Sequence, residues 1–243
     1  MPYSEIPGFP VSTAPGHAGR FVFGYVEETP VVVMQGRVHL YEGYTPHDVV
    51  LPVRLMKAMG AKMPEEEMQP LVDAWRAANP NIVAFWSALD RAARTVIRRK
   101  TSAHVGKVTL YWQDDKMFMR LPSGRNLCYQ SPHFTENGFG SDAIGYYAPN
   151  AAGQMVVQET FGGKLAENAT QAIARDILAH ALLTLEKNGY PVVFHVHDEA
   201  VIEKPTGQGS LEEACRLMAI APDWAKDLPL RADGYECAYY RKD

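Results

Sequence analysis

Apolar runs near the C-terminal end of the chain predict a β-hairpin. Val192–Val196 and Ala200–Ile202 are rich in residues that favour strands, and they flank a polar centre of His197, Asp198 and Glu199. The pattern therefore places an imidazole and two carboxylates at the tip of a hairpin. Rigidly held carboxylates are suitable ligands for a divalent metal ion, because Mg²⁺ prefers oxygen donors in fixed geometry. The alternative interpretation of this stretch alone is an acidic, solvated turn.

A long helix is predicted before the hairpin, over residues 164–188, with Asn188-Gly189 as its C-terminal cap. Its apolar residues recur three and four positions apart, which predicts one buried stripe. The stripe consists of Ile173, Ile177, Leu178, Ala181, Leu182 and Leu185. Asn168, Gln171 and Arg175 share another face, where amides and a guanidinium can meet sugar or base edges of a nucleic acid. A merely solvated polar face is the alternative.

The N-terminal part of the chain has a separate pattern. Phe21–Val26 and Pro30–Gln35 predict a second hairpin. A helix is then predicted from Pro46, with Thr45 as its N-cap and Gly60 as its end. Pro52 lies inside this helix, and because proline has no N–H to donate, we expect it to bend or shorten the helix.

The middle of the chain predicts two helices and then short strands. The helices begin at Pro64 and at Asn79-Pro80, where acidic residues and proline favour a first helical turn. The predicted strands are Val108–Trp112, Met117–Leu121 and Leu127–Tyr129, the first two joined through Asp114-Asp115. Residues 130–157 are rich in Gly, Asn and Ser and are predicted to be irregular. After the C-terminal hairpin, the pattern predicts a helix at Ser210–Ile220 and a final strand and tail at Leu228–Tyr240.

Composition adds limits rather than a function. With 47% hydrophobic and 21% charged residues, the 243-residue chain is globular. The net charge of −4 gives no general attraction to nucleic acid, so binding requires a local basic patch. The candidate patch consists of Arg91, Arg94, Arg98, Arg99 and Lys100. The default interpretation of these residues is a solvated helix face without a binding role.

Cysteine usage and the absence of long apolar runs predict a cytoplasmic protein. The three cysteines have neither CxxC nor metal-binding spacing, and we interpret them as free thiols in a reducing compartment. No apolar run approaches membrane-spanning length, and the sequence begins with no signal-peptide pattern.

The helix and hairpin together resemble the C-terminal palm of family A DNA polymerases, particularly of phage and prophage members. Residues 162–176 read GGKLAENATQAIARD, and VHDE follows at 196–199. The stretch 64–86 and the LPSGR motif at 121–125 also resemble sequences of this family. The family's motif C is the HDE hairpin.

The resemblance implies roles for particular residues. Asp198 corresponds to a catalytic, metal-bridging carboxylate, Glu199 to an auxiliary acid and His197 to the residue that steadies the primer end. Gln171 corresponds to a minor-groove contact, and Asn168 and Arg175 share its face. The implied cofactor is Mg²⁺, held by Asp198 and Glu199, and the implied partners are primer–template DNA and deoxynucleoside triphosphates.

Two other polymerase motifs have no counterpart in this sequence. Motif A supplies a second metal-bridging Asp, and motif B supplies the Arg and Lys that hold the incoming triphosphate. We therefore expect an incomplete, catalytically impaired polymerase. The alternatives are a non-catalytic nucleic-acid-binding module and half of a split polymerase, which a second chain carrying motifs A and B completes.

The N-terminal segment resembles trimeric purine nucleoside phosphorylases. The resemblance rests on two sequence motifs, FPVSTAPGHAGR at 9–20 and MQGRVHLYEGY at 34–44. The family match implies phosphate binding by Arg37, His39 and His17, and nucleoside binding by Tyr41 and Glu42, without a cofactor. An Arg and a His alternating along a strand can both face one oxyanion. The family's other phosphate- and purine-binding residues have no counterpart here.

The sequence thus predicts a chimera. Residues 1–62 form a phosphorylase-like fragment, and residues 63–243 form a polymerase-like C-terminal region. The predicted fold class is α+β, with an antiparallel palm-type sheet and long helices, preceded by a small incomplete α/β segment. The predicted function is DNA-directed DNA polymerase, and purine-nucleoside phosphorolysis is the competing enzymatic interpretation.

Overall fold

The computed structural model describes residues 1–11, 18–26, 28–38, 44–58, 65–136, 140–150 and 152–240. The chain divides into an N-terminal unit, Met1–Ala74 with Cys237–Asp243, and a main unit, Trp75–Glu236. The predicted boundary between residues 62 and 63 concerns a change in sequence resemblance. It stays a prediction, and the residues around it, 59–64, lie outside the described ranges.

The N-terminal unit is built on an aromatic cluster. Strands β1 (Arg20–Val26) and β2 (Thr29–Gln35) pair antiparallel, which confirms the predicted hairpin. Tyr3, Phe9 and Phe21 are buried together, with ring centroids 5.0 to 5.8 Å apart. Leucines of the following helix, α1 (Pro46–Ala58), pack against these rings and complete a small core.

Helix α1 begins at the predicted cap. Thr45 donates its N–H to Asp48 Oδ2 at 2.9 Å, and the Asp48 N–H donates back to Thr45 Oγ1 at 3.3 Å. This reciprocal pair satisfies donors that the first turn leaves without helical partners. The helix continues through Pro52 to Ala58, so the predicted shortening does not occur. Packing of Leu51 and Leu55 on the aromatic cluster compensates for the hydrogen bond that Pro52 lacks. The predicted helix end at Gly60 lies outside the described residues.

The main unit has the α+β organisation that the sequence predicts, with long helices and antiparallel sheets. Only the last four residues of helix α2 (Glu65–Ala78) belong to this unit, and α3 (Pro80–Arg99) and six antiparallel strands in sequential order follow. These strands are β3 (Ser102–Val105), β4 (Val108–Gln113), β5 (Lys116–Arg120), β6 (Asn126–Glu136), β7 (Asp142–Pro149) and β8 (Met155–Thr160). The remaining elements are α4 (Gly162–Lys187), the hairpin β9 (Val192–Val196) and β10 (Glu199–Ile202), and α5 (Leu211–Met218).

One face of the six-stranded sheet packs against α3 and α4. Leu110, Met117 and Met119 alternate with outward residues and are fully buried in this core. The two helices approach each other closely at Gly162, where a Cβ atom would lie 2.2 Å from the backbone carbonyl oxygen of Trp86. Glycine is therefore required at the start of α4 for this close approach.

Two parts of the secondary-structure prediction are wrong. Residues 130–157 are not irregular, because β6 extends to Glu136 and β7 and β8 follow. The Gly-, Asn- and Ser-rich composition that suggested irregular structure also includes Gly145 inside β7, where the His133 ring occupies the space of a side chain. Within the described residues 228–240 there is no strand. Pro229 cannot donate a ladder hydrogen bond, and a strand also needs a partner along its edge.

The predicted buried stripe of α4 is confirmed in part. Leu178, Ala181 and Leu185 are buried, whereas Ile173, Ile177 and Leu182 are half-buried. The first half of the helix has a second buried stripe that the sequence analysis missed, formed by Leu165, Ala166, Ala169 and Ala172. Alanine gives little hydrophobic periodicity, yet its small side chain allows close packing of the helix.

Candidate nucleic-acid interface

The predicted polar face of α4 borders an open groove of about 510 Å³. Asn168, Gln171 and Arg175 all line it, so the structure brings these three predicted residues together. The opposite wall comes from β6 and β7 and from the turn before β6. The remaining lining residues are Arg125, Leu127, Cys128, Tyr129, Tyr146, Ala148 and Ala172.

Within this groove the three predicted residues have different positions. Asn168 is half-buried, and its Nδ2 donates a hydrogen bond of 3.1 Å to Tyr129 Oη. Gln171 and Arg175 are exposed, so their donors reach solvent in the groove. Burial raises the pKa of Tyr129 to about 12, and the hydrogen bond from Asn168 acts in the opposite direction. Asn168 therefore fixes the wall of the groove, while Gln171 and Arg175 present its polar surface.

One end of the groove is fixed by an ion pair that the sequence analysis missed. Arg125 Nε lies 2.6 Å from Asp176 Oδ1, and the same guanidinium donates to the Ala172 carbonyl oxygen at 2.8 Å. The Ser123 hydroxyl donates to the second carboxylate oxygen of Asp176. The LPSGR turn is thereby held on α4. The turn and the helix each belong to a sequence motif that resembles the polymerase family. Spacing along the sequence could not predict the pairing of Arg125 with Asp176, because the two residues are too far apart in the chain.

The HDE hairpin is confirmed. His197 and Asp198 connect β9 to β10, and Glu199 is the first residue of β10, paired with Val196. His197 has a φ of 50°, the left-handed conformation that a tight connection requires. Asp198 is exposed and Glu199 is half-buried.

The hairpin is anchored at its base. Val192, Ala200 and Ile202 pack against buried residues of α4, α5 and the intervening loop. The Glu186 carboxylate accepts the Val192 N–H at 2.7 Å. The anchored base supports the tip, whereas the combination of tip and groove into one site stays a prediction.

The described residues contain no group of three or more His, Cys, Asp or Glu side chains arranged to hold a metal ion. Asp198 and Glu199 therefore offer two adjacent carboxylates and no complete metal centre. Mg²⁺ is commonly bound by one or two carboxylates with substrate phosphates and water as its other ligands. The two carboxylates of Asp198 and Glu199 match the number that proteins commonly contribute to a bound Mg²⁺.

The phosphorylase-type residues lie mostly outside the described ranges. This applies to His17, His39, Tyr41 and Glu42. Arg37 is described and exposed, just after β2. The phosphate- and nucleoside-binding assignments stay predictions.

The predicted basic patch on α3 is partly committed to contacts within the main unit. Arg94 pairs with Asp90 at 2.7 Å and donates to the Asp142 carbonyl oxygen at 3.0 Å. Arg98 and Lys100 lie over the rings of Phe134 and Trp112. These cations stabilise the junction of helix and sheet, so the patch is less available than the sequence suggested.

The chain is similar to two kinds of known protein. Over 190 residues, 77% of its length, it is 41% identical to a DNA polymerase of Bacillus phage SP02. It is also 60% identical over 62 residues to purine nucleoside phosphorylase 1 of Geobacillus stearothermophilus. Purine nucleoside phosphorylase of Bos taurus is 48% identical over 79 residues. The predicted double resemblance is confirmed.

The chain spans less than a third of each of these relatives: 29% of the phage polymerase and 23% and 26% of the two phosphorylases. The phosphorylase matches cover 26% and 32% of the chain itself. No protein-family model and no solved structure matches the chain. Among the helices that the structure describes, none combines the length and apolar character needed to cross a membrane.

Proposed function

We propose that the main unit is the primer–template-binding part of a family A, phage-type DNA polymerase. The groove carries this proposal, because Gln171 and Arg175 are both exposed along it and its walls are fixed by internal hydrogen bonds. A guanidinium and an amide on a rigid surface suit phosphate and minor-groove edges. The similarity to the phage polymerase supports the same interpretation.

In this proposal the HDE hairpin lies at the primer end. Asp198 and Glu199 would hold Mg²⁺ through their carboxylates, and the ion would stabilise negative charge on transferring phosphate. His197 would orient the primer end from the same tip. The hydrophobic base of the hairpin keeps these side chains in place.

We expect these 243 residues on their own not to extend a primer. Two-metal phosphoryl transfer requires ions clamped between separated carboxylates, and the sequence has no counterpart of the motif A Asp. It also has no counterpart of the motif B cations that hold a triphosphate. The proposed activity of the isolated chain is therefore DNA binding.

The binding test uses fluorescence anisotropy with a labelled primer–template duplex. Arg175→Gln should weaken binding by about tenfold, as expected for one lost charge-assisted hydrogen bond. The slope of log affinity against log salt concentration should also decrease by about the amount that corresponds to one lost phosphate contact. Arg231→Gln is the matched control, since Arg231 is an exposed arginine of the main unit outside the groove. Equal weakening by both variants would exclude the groove as the binding surface.

The catalytic test is primer extension with Mg²⁺ or Mn²⁺, comparing the unmodified chain with Asp198→Asn. No extension is expected from either protein. Extension that the Asp198→Asn variant abolishes would instead establish that another carboxylate completes the site. A pull-down that recovers a partner carrying motifs A and B would favour the split-polymerase interpretation.

The second candidate function is purine-nucleoside phosphorolysis, favoured by the 60% identity to a phosphorylase. We expect weak phosphate binding that involves Arg37, because a guanidinium complements an oxyanion. Phosphorolysis of inosine should be undetectable, since the purine-binding residues have no counterpart. Measured turnover of inosine with phosphate would make this candidate the leading one.

A further inference from the structure

The six-stranded sheet has a second face that points away from α3 and α4. Because side chains alternate along each strand, the residues between the buried positions of β4 and β5 face outward. Register places the outward residues of neighbouring strands side by side. Across β3 to β6, one such row is His104, Thr109, Arg120 and Asn126, and the next begins with Ser102, Tyr111 and Phe118.

Two aromatic rings form the centre of this outward face. Tyr111 and Phe118 are directly opposite each other on β4 and β5, and their rings stack with centroids 5.3 Å apart and planes 21° apart. Both side chains are half-buried, so they remain in contact with solvent. Each ring of the stacked pair keeps one face that the other ring does not cover, and a further ring can stack there.

Positive charge lies beside these rings. The Arg120 guanidinium is 5.1 Å from the centre of the Tyr111 ring, and Arg120 is exposed. Lys116 is also on the outward side of β5, two positions from Phe118. His104 is exposed, and its Nδ1 lies 2.9 Å from Thr109 Oγ1.

Carboxylates are absent from the outward positions of β3, β4, β5 and residues 126–130, all of which the structure describes. The nearest ones in sequence, Asp114 and Asp115, lie in the turn between β4 and β5. Gln113 donates to Asp114 at 3.1 Å, and Ser131 donates to Asp115 at 3.2 Å. The distribution is notable because the whole chain has a net charge of −4.

We propose that this outward sheet face binds single-stranded DNA, with bases stacked on Tyr111 and Phe118 and phosphates beside Arg120 and Lys116. Stacking on an aromatic ring accepts any base, and the positive charges of Arg120 and Lys116 attract the phosphates of the DNA backbone. Four strands span about 14 Å, which accommodates two or three nucleotides. The face itself stands on its own geometry, whereas the choice of DNA over RNA rests on the proposed function.

The test is fluorescence anisotropy of the full chain with a labelled twelve-nucleotide oligothymidylate. Tyr111→Leu and Phe118→Leu keep apolar bulk, and each should weaken binding by about fivefold or more through loss of base stacking. Arg120→Gln, at an exposed position, should lower the slope of log affinity against log salt by about 0.7. Urea unfolding of each variant checks that the sheet remains intact.

Arg175→Gln is the matched control, because it removes one positive charge from the groove instead. It should leave oligothymidylate binding unchanged, and the sheet variants should leave the binding of a blunt-ended DNA duplex unchanged. If the proposed function is wrong, the chain does not bind duplex DNA but still binds oligothymidylate. If the sheet proposal is wrong, the chain does not bind oligothymidylate but still binds duplex DNA.

Three results would overturn the proposal. The first is no binding of oligothymidylate by the unmodified chain, and the second is binding that the folded sheet variants leave unchanged. The third is self-association that the same variants abolish, because it would assign the face to a protein partner. Tighter binding of oligouridylate than of oligothymidylate would overturn the choice of DNA.

Discussion

Asp176 joins two parts of the chain that are more than fifty positions apart. Its carboxylate accepts from Arg125 at 2.6 Å and from the Ser123 hydroxyl, and its side chain is only 11% exposed. Such a group costs more to remove than an exposed ion pair, since its donors lose their acceptor in a partly buried place.

We expect Asp176→Ala to lower the free energy of unfolding by about 1–3 kcal/mol. Arg231→Ala is a suitable control, because Arg231 pairs with Asp233 where both side chains are about 80% exposed. That variant should change stability by less than about 0.5 kcal/mol. Urea unfolding measures both, and equal effects would contradict the structural role of Asp176.

Tyr129 links stability to alkaline pH. Burial raises its pKa from the ordinary value of 10.0 to about 12, so the folded chain favours the neutral phenol. The contribution is fully present below pH 10 and is lost as the pH rises from 10 to about 12. We expect Tyr129→Phe to reduce the loss of stability measured over this window.

The control for Tyr129 is its hydrogen-bond donor. Asn168→Ala removes the interaction that lowers the Tyr129 pKa, so that pKa should rise further. Phenolate absorbance during an alkaline titration reports this change. A fall in the Tyr129 pKa in the Asn168→Ala variant would contradict the described wall of the groove.

Among the elements, those with strong local signals were predictable from the sequence. The α4 helix has regular apolar spacing and a clear Asn-Gly cap, and the HDE hairpin has two β-rich runs around a polar tip. Strands β7 and β8 were not predictable in this way. Their pairing depends on neighbours brought together by the fold, and Gly145 in β7 suggested a break where it accommodates His133.

The candidate site shows the same division. The faces of Asn168, Gln171 and Arg175 follow from helical spacing, which is local information. The Arg125–Asp176 pair and the burial of Tyr129 depend on which strand lies against α4, and no local pattern contains that. The sequence therefore predicts the groove's helical wall but not its sheet wall.

The close approach of α3 and α4 at Trp86 depends on Gly162. We expect Gly162→Ala to destabilise the main unit by about 1–3 kcal/mol, because its Cβ would collide with backbone and force the helices apart. Gly163→Ala is the matched control. Its Cβ would meet the Phe161 ring, which is 60% exposed and free to turn, so this variant should be near neutral.

Thermal unfolding of the two alanine variants separates packing from backbone effects. Alanine replaces glycine in the same helical turn in both, so helix propensity changes equally. A stable Gly162→Ala protein would mean that α3 and α4 do not approach as described.

At the scale of the whole molecule, the two units differ in the size of their cores. Among the described residues, the aromatic cluster of the N-terminal unit contains three buried residues, and the largest core cluster of the main unit contains sixteen. A hairpin and one helix bury little apolar surface, whereas a six-stranded sheet covered by two helices buries much more. The N-terminal unit should therefore open at a lower free energy.

Limited proteolysis should cut first before or near residue 63 and leave a product that contains the whole main unit. Phe21→Ala should accelerate this first cleavage without changing the lifetime of the product, because Phe21 lies only in the N-terminal cluster. Leu110→Ala, in the main core, should instead shorten the lifetime of the product. Mass spectrometry of the fragments over time distinguishes the two effects. If the N-terminal unit persists after the main unit is degraded, its small core is more stable than its buried surface implies.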